Sequence, residues 1–408
     1  MKKLLVKNIG LLATPEGRSA HRGEEQGKIK FLKDAWVLIE DGIIASVGTG
    51  AVPAVEGAEV VDAEGHLVTP GLVDAHTHLI FGGWRQNELG LKLHGASYLD
   101  IQNAGGGIQS TTNATRQASE QELAAKASKA LDEMMGFGTT TVEAKSGYGL
   151  ATEHELKALE VIKDLNDHHR MDLVATFMGA HLVPAEYKSN REEYVRLVCE
   201  EMMPKVKEQG IAKFCDVFCE ADTFTVEESR QVLEAGLKYG LRPKIHADEI
   251  EAIGGSQLAG EIGAISAEHL IVCPPEGIAS MAKGGVIACL LPATSFNLSA
   301  VFAPARDMVK AGVPVAMATD FNPGSCPCLN MQFVINLGCL KYKLTPEEVL
   351  TAVTLNGAAA IDLADKVGSV EEGKLGDLVI WDAPDLDYIC YRVGSNLAKT
   401  VIKRGEIV

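Results

Sequence analysis

The sequence predicts a closed parallel (β/α)8 barrel of the TIM type, an α/β fold, with a small β-sandwich domain built from both ends of the chain. Three observations predict it. From residue 70 onward, β-rich stretches alternate with amphipathic stretches rich in Ala, Glu, Lys and Leu, and eight such pairs fill the roughly 250 residues typical of a closed βα barrel. Both chain ends instead read as short strands with turn punctuation. The 408 residues also exceed what one hydrophobic core usually organises, so a large domain with a satellite is expected.

Residues 1–67 supply the first part of the satellite, through "KLLVKN", "AWVLIEDGIIASVG" and "AEVVDAEGHLVTPG". Asp41-Gly42, set between two β-rich runs, is a hairpin signal because both positions of the turn require positive φ. The polar residues 14–29 are expected to form a loop or an extended hairpin tip. Residues 68–366 form the barrel and the helices after it, with strands expected at 72–78, 139–145, 173–181, 213–220, 243–249, 265–270, 286–293 and 314–320. Segments such as "SEQELAAKASKALDEMMGFG" and "TVEESRQVLEAGLKYG" are the intervening helices, each stopped by glycine. "KLTPEEVLTAVTLNGAAAI" reads as a capped helix followed by a small-residue helix. Residues 367–408, with "GDLVIWDA" and "KTVIKRGEIV" around an Arg-Gly turn, return to the style of the first strands and complete the satellite.

Composition narrows the partners. A net charge of −17 argues against nucleic acid or an anionic membrane, since either needs a basic face, and leaves a small-molecule substrate. The nine cysteines, odd in number and set in apolar runs, read as reduced thiols of a cytoplasmic protein. The apolar start is broken by Lys7 and Asn8 and reads as a strand rather than a signal peptide, and no run reaches membrane-spanning length.

Polar residues fall at the C-terminal ends of the expected barrel strands, where such barrels place their chemistry: His76 and His78, Lys145, His181, His246 and Glu249, His269, and Asp320. Strand side chains alternate, so His76 and His78 point the same way, into the barrel mouth. With His246 and Asp320 they make a nitrogen and oxygen set for one Zn2+ or Fe2+/Fe3+ ion, with a position left for water. Singly, each has an ordinary structural explanation (a surface pair, a core histidine, a helix cap); their joint occurrence at strand ends favours the metal. A second metal would need a bridging lysine at the end of the fourth strand, where "DVFCE" has none, so one metal is expected. Lys145 lies on the wrong strand for a bridge and Glu143 reads as structural. Glu249 is placed to shuttle a proton and His269 to orient water or polarise a carbonyl, while Glu268 is expected to face outward.

These residues resemble the metal-dependent amidohydrolase superfamily: "PGLVDAHTH" on the first strand, histidines ending the fifth and sixth, "TD" ending the eighth. The longer phrases "DAHTHLIFGGWRQNE", "GGGIQSTTNATR", "EAKSGYGL", "FMGAH", "HADE" and "ATDFNPGSCP" are similar to the branch that opens the ring of 4-imidazolone-5-propanoate in histidine degradation. The resemblance implies hydrolysis of that ring amide to N-formimidoyl-L-glutamate by metal-activated hydroxide at a mononuclear site held by His76, His78, His246 and Asp320, with Glu249, Asp320 and His269 catalytic. It also implies substrate contacts at Arg85, Tyr148, His181, Glu249, Asn322, Gly324 and Ser325, a place for Tyr98 near the carboxylate pocket, and a homodimer. The chemistry of the residues agrees: a propionate tail suits a guanidinium such as Arg85, and the glycines around Tyr148 permit a turn that aims its phenol inward. "NAGGGIQST" (103–111) lacks the lysine of a phosphate loop and is expected to be a flexible flap over the site. The alternative is a single-metal aminohydrolase deaminating a purine, pyrimidine or guanine-like ring; a cyclic amidase would want the missing bridging lysine, and a silent binding barrel would lack ligands.

Overall fold

In the computed structural model, which describes residues 2–95 and 106–408, the two chain ends share one mixed sheet. Strand β1 (Lys3–Thr14) pairs antiparallel along its length with β2 (Lys30–Glu40), which turns into β3 (Ile43–Thr49) at Asp41-Gly42, with φ of 48° and 82°. On the other edge of β1, β4 (Glu59–Asp62) lies beside its first half and β5 (Leu67–Pro70) beside its second. A register shift between Val6 and Ile9, with Asn8 at φ 53°, separates the two halves. The sheet continues from β5 into strands of the chain's other end, and alternate residues Leu4, Val6, Val37, Ile39, Leu378 and Ile380 bury its core.

The polar stretch 14–29 does extend this hairpin, since Thr14 still pairs with Lys30, but its tip is docked rather than free. A single 3-10 turn (Gly23–Gly27) buries Gln26. The Gln26 amide accepts from Val315 N at 3.0 Å and donates to Val315 O at 3.1 Å, as a neighbouring strand would.

The barrel strands are β6 (Leu72–Thr77), β7 (Thr139–Lys145), β8 (Asp172–Ala180), β9 (Phe214–Cys219), β10 (Arg242–Ala247), β11 (Ser266–His269), β12 (Ile287–Leu290) and β13 (Val315–Met317). All are parallel and hydrogen-bonded in chain order. They match the eight expected strands, and the last is shorter than expected because residues 318–321 leave it to close the barrel. There Asp320 N donates to His76 O at 3.0 Å and His78 N donates to Phe321 O at 2.9 Å, so closure runs through the residues of the site. The helices form where caps direct them. Ser119 with Glu122, Thr225 with Glu228 and Thr345 with Glu348 each make a reciprocal capping box, for Glu120–Gly136, Val226–Lys238 and Pro346–Val353. The last strands are β14 (Leu378–Trp381), β15 (Ala398–Lys403) and β16 (Glu406–Ile407), the final hairpin turning at Arg404-Gly405 with φ of 48° and 71°. Among the described residues no helix is long and apolar enough to cross a membrane.

Candidate active site

At the C-terminal mouth of the barrel, three imidazole nitrogens and one carboxylate oxygen converge. His76 Nε2 lies 3.4 Å and His78 Nε2 3.6 Å from Asp320 Oδ1, and His246 Nε2 lies 3.2 Å from His78 Nε2. All four residues are buried. Both nitrogens of His76, His78 Nδ1 and Asp320 Oδ1 have no hydrogen-bond partner among the described residues. Buried polar atoms are rarely left so, because each costs about 1–3 kcal/mol. A cation among the Nε2 atoms would satisfy His76 Nε2 and Asp320 Oδ1, and imidazole nitrogens with one carboxylate are the donor set of zinc or iron. His76, His78 and His246 have ligand atoms within 4.8 Å of one another, as do His76, His269 and Asp320. Burial holds His76 and His78 well below the usual histidine range, helped by Lys145 and neighbouring imidazoles, so both rings are neutral and keep their lone pairs. Burial pushes Asp320 up to about 7 against the bonds from Thr294 and Asn322; Thr294 Oγ1 donates to Oδ2 at 2.6 Å, which leaves Oδ1 for the cluster.

Beneath the ligands lies a layer of buried charge. Asp216 Oδ1 is 3.1 Å from His246 Nδ1, so the carboxylate accepts the Nδ1 proton and turns Nε2 toward the cluster. Lys145 Nζ donates to Glu143 Oε1 and Asp216 Oδ2, both at 2.7 Å, and Lys244 Nζ stands 3.4 Å from Glu268 Oε1. Glu268 faces inward, contrary to expectation: it is fully buried, with Oε2 3.8 Å from His246 Nδ1 and 3.9 Å from His76 Nδ1. Alternation itself puts it there, two residues from Ser266 and in register with His246 of β10, and it is His269, with φ 67°, that leaves strand geometry and joins it in the interior. Single-residue reasoning also missed Asp216, although it is the one charge in the apolar strand "FCDVFC".

The substrate side is built from loops. The ring of His181 stacks on that of His78, 4.9 Å between centroids and 17° between planes, and its Nδ1 meets Gly147 O at 2.9 Å. Burial holds His181 down to about 3, so it is neutral and presents Nε2 outward from that bond. Tyr148, also buried, lies 5.8 Å from the His78 ring and 5.1 Å from the His181 ring. Arg85 is held by Glu88 through Nε and Nη2 at 2.8 and 3.0 Å, and its guanidinium packs against Gly324, where a Cβ would come within 2.1 Å of Nη1. Asn322 braces the same turn: Oδ1 accepts from the backbone N–H of Gly324, Ser325 and Cys326, and Nδ2 donates to Asp320 O and Ser325 Oγ. Glu249 Oε2 sits 3.6 Å from His269 Nε2, and burial, then Asp320, pushes Glu249 up to about 8. Tyr98 lies outside the described residues. Of the stretch 103–111 expected to form a flap, the part from Gly107 onward belongs instead to a helix, Gly107–Gln117, whose first N–H donates to Glu88 Oε1 at 2.7 Å, and 103–105 lie outside the described residues.

A barrel closed through H-x-H and an aspartate, with a buried metal-competent cluster at its C-terminal mouth, defines a metal-dependent hydrolase. A family model, the amidohydrolase family, matches residues 67–408, and the chain belongs to that family. Within it the chain is similar to curated imidazolonepropionases. It is 52% identical to the imidazolonepropionase of Alkaliphilus metalliredigens, covering all of this chain and 98% of that one, and 50% identical to that of Brevibacillus brevis over the same shares. Solved structures share the fold at lower identity. A triazine hydrolase variant matches with TM-score 0.76 at 18% identity, over 100% of this chain and 94% of that one. Guanine deaminase from C. acetobutylicum, with bound guanine, matches with TM-score 0.71 at 18% identity over the whole of both chains.

Proposed function

We infer that the chain hydrolyses the ring amide of 4-imidazolone-5-propanoate to N-formimidoyl-L-glutamate, the step of histidine degradation its relatives are named for. The observation that carries the reading on this chain is the cluster of three Nε2 atoms and Asp320 Oδ1, buried together with His76 Nε2 and Asp320 Oδ1 lacking any hydrogen-bond partner among the described residues, one loop away from Arg85. His76, His78, His246 and Asp320 would hold a single zinc or iron ion. Bound there, such an ion would supply Lewis acidity and make hydroxide available at neutral pH, the pKa of water falling from about 15.7 toward about 7.

The remaining work falls to side chains. Arg85, fixed by Glu88 and Gly324, pairs with the propionate by charged hydrogen bonds. His181 and Tyr148, packed on His78, wall the ring, and Asn322 with Gly324 and Ser325 forms the opposite lip. Glu249 and Asp320 share the proton transfer: one carboxylate takes a proton from the attacking water, and Glu249, whose carboxyl burial and then Asp320 push up, delivers one to the departing ring nitrogen. His269 Nε2, 3.6 Å from Glu249, lies beside the carbonyl oxygen and stabilises the charge that develops there. The C–N bond of the ring breaks, the carbonyl carbon becomes a carboxylate, and no ammonia leaves.

The test is turnover of enzymatically generated imidazolonepropionate by protein of measured metal content. Loss of ring absorbance without ammonia supports the reading; ammonia release from a purine or pyrimidine, with no ring opening, supports the deaminase alternative. We also propose a cytoplasmic homodimer, its size checked by light scattering. The nine cysteines, all free, accord with a reducing compartment.

A further inference from the structure

Glu220 plays no part in the chemistry above, yet it is almost fully buried at the end of β9 and makes an unusual set of bonds. Its Oε2 accepts the backbone N–H of Glu249 at 3.0 Å and of Ile250 at 2.8 Å, and its Oε1 accepts those of Glu251 at 3.0 Å and Ala221 at 2.9 Å. One carboxylate thus gathers the amides of three consecutive residues, the first of which is the proton-carrying Glu249. The segment they belong to needs such a clamp. It leaves β10 through Asp248 in the left-handed region, φ 51°, then runs without regular structure until the helix at Gly255–Ile262. Ile250, next in line, is 65% exposed and Glu251 is exposed too, so apolar packing does not fix residues 249–251.

We propose that Glu220 is a positioning residue for the reaction: its carboxylate sets the backbone of 249–251 and thereby places the Glu249 side chain over the site. The proposal rests on the proton-transfer role given to Glu249. A displacement of about 1 Å at a proton-transfer group can cost on the order of a hundredfold, so the clamp is worth a measurable share of kcat. A glutamine at 220 keeps the shape but presents an amide NH2 to backbone N–H groups that can only donate, which undoes the bonds to one oxygen.

The experiment compares Glu220→Gln with the wild type, both loaded with metal. Hydrogen exchange of the 249–251 amides, measured without substrate, should quicken at least tenfold in the variant while exchange elsewhere in the barrel stays as it was. Turnover of imidazolonepropionate should show kcat lowered about 10- to 100-fold, KM changed less than about threefold and metal content unchanged. Should Glu220→Gln not fold, Glu220→Asp, with its carboxylate one methylene short, must give the same local deprotection. Unaltered exchange at 249–251 in a folded variant overturns the proposal, and so does deprotection with wild-type kcat. Glu249→Gln separates the two readings: if it too keeps wild-type kcat, the role of Glu249 has failed, while the exchange data still decide whether Glu220 holds the segment.

Discussion

Replacing Lys145 by Met removes the one ammonium that stands 2.7 Å from two fully buried carboxylates, Glu143 and Asp216. The Met side chain fills most of the space of the lysine stem, so the change is chiefly one of charge. Breaking a buried ion pair by deleting one partner costs about 3–5 kcal/mol, because the other charge stays buried and uncompensated. Here one cation serves two anions, and the nearest remaining ammonium, Lys244 Nζ, is 3.8 Å from Glu143 Oε1, so little of the loss is made good. A destabilisation of about 3–5 kcal/mol at pH 7 is expected, read as a shift of the guanidinium unfolding midpoint by tryptophan fluorescence, with metal absent from both proteins so that binding does not enter. The pH dependence has a definite sign. Although burial opposes it, His246 and then Lys145 hold Asp216 well below the carboxylate range. A lowered carboxylate contributes stability above its unfolded pKa of about 3.9 and loses it as the pH falls through the folded value. The variant lacks part of that contribution, so its deficit should hold from neutral pH down to about pH 4 and shrink only below it. A deficit under about 1 kcal/mol at pH 7, or one that grows on acidification, would refute the assignment of Lys145 as the counter-ion of this layer.

Other expectations follow from the same geometry. Arg85→Ala should raise KM about 30- to 100-fold with kcat little changed, the loss of about 2–3 kcal/mol of charged hydrogen bonding. Gly324→Ala should reproduce much of that effect without touching a charge, since its Cβ would lie 2.1 Å from Arg85 Nη1 and 2.5 Å from Cζ; steady-state kinetics with full metal content checks both, and an unaltered KM in either counts against the Arg85 pocket. Asp320→Asn should lose metal on dialysis against a weak chelator under conditions where the wild type retains it, measured by elemental analysis. In metal-free protein, Glu249 binds its proton more tightly folded than unfolded, so its contribution to stability is complete below about pH 4.3 and is lost as the pH rises through about 8. Glu249→Gln should flatten the melting temperature over that interval, and an unchanged slope would show the group is not buried as described.

Much of the fold was legible because its signals are local. The Asp41-Gly42 and Arg404-Gly405 turns, the three capping boxes and the apolar strands each announce themselves within a few residues. The cluster of His76, His78, His246 and Asp320 was legible for a different reason: a barrel sends every strand end to one rim, so residues far apart in sequence become neighbours by topology alone. The layer beneath it was not, because a buried charge is tolerable only with its partner, and the partners are distant. Lys145 meets Asp216 across 71 residues, and nothing in "TTTVEAK" or "FCDVFC" says that the two strands set these side chains at one height. The docking of the 14–29 tip was hidden in the same way, since the interaction that holds it joins Gln26 to Val315, 289 residues on.

Strand parity, reliable within the barrel, fails where the chemistry sits. Beyond three barrel strands the chain enters the left-handed region at a residue other than glycine: Asp248 at φ 51°, His269 at φ 67° and Asp320 at φ 59°. Such a conformation costs an L-residue about 1–2 kcal/mol and persists only where the surroundings impose it. Each instance redirects a side chain that alternation would have sent elsewhere. At His269 it turns a second, adjacent residue inward: Glu268 already faces the Nδ1 atoms of His76 and His246 by alternation, and His269 joins it and reaches Glu249. At Asp320 it bends the chain back to β6, where the backbone bonds that close the barrel also set Oδ1 beside His76 and His78. At Asp248 it turns the chain toward Glu220, whose carboxylate then fixes Glu249. The strain and the function therefore have one location: the regular barrel delivers the strands to the rim, and the last residue or two, held out of strand geometry, aim the groups that meet the substrate.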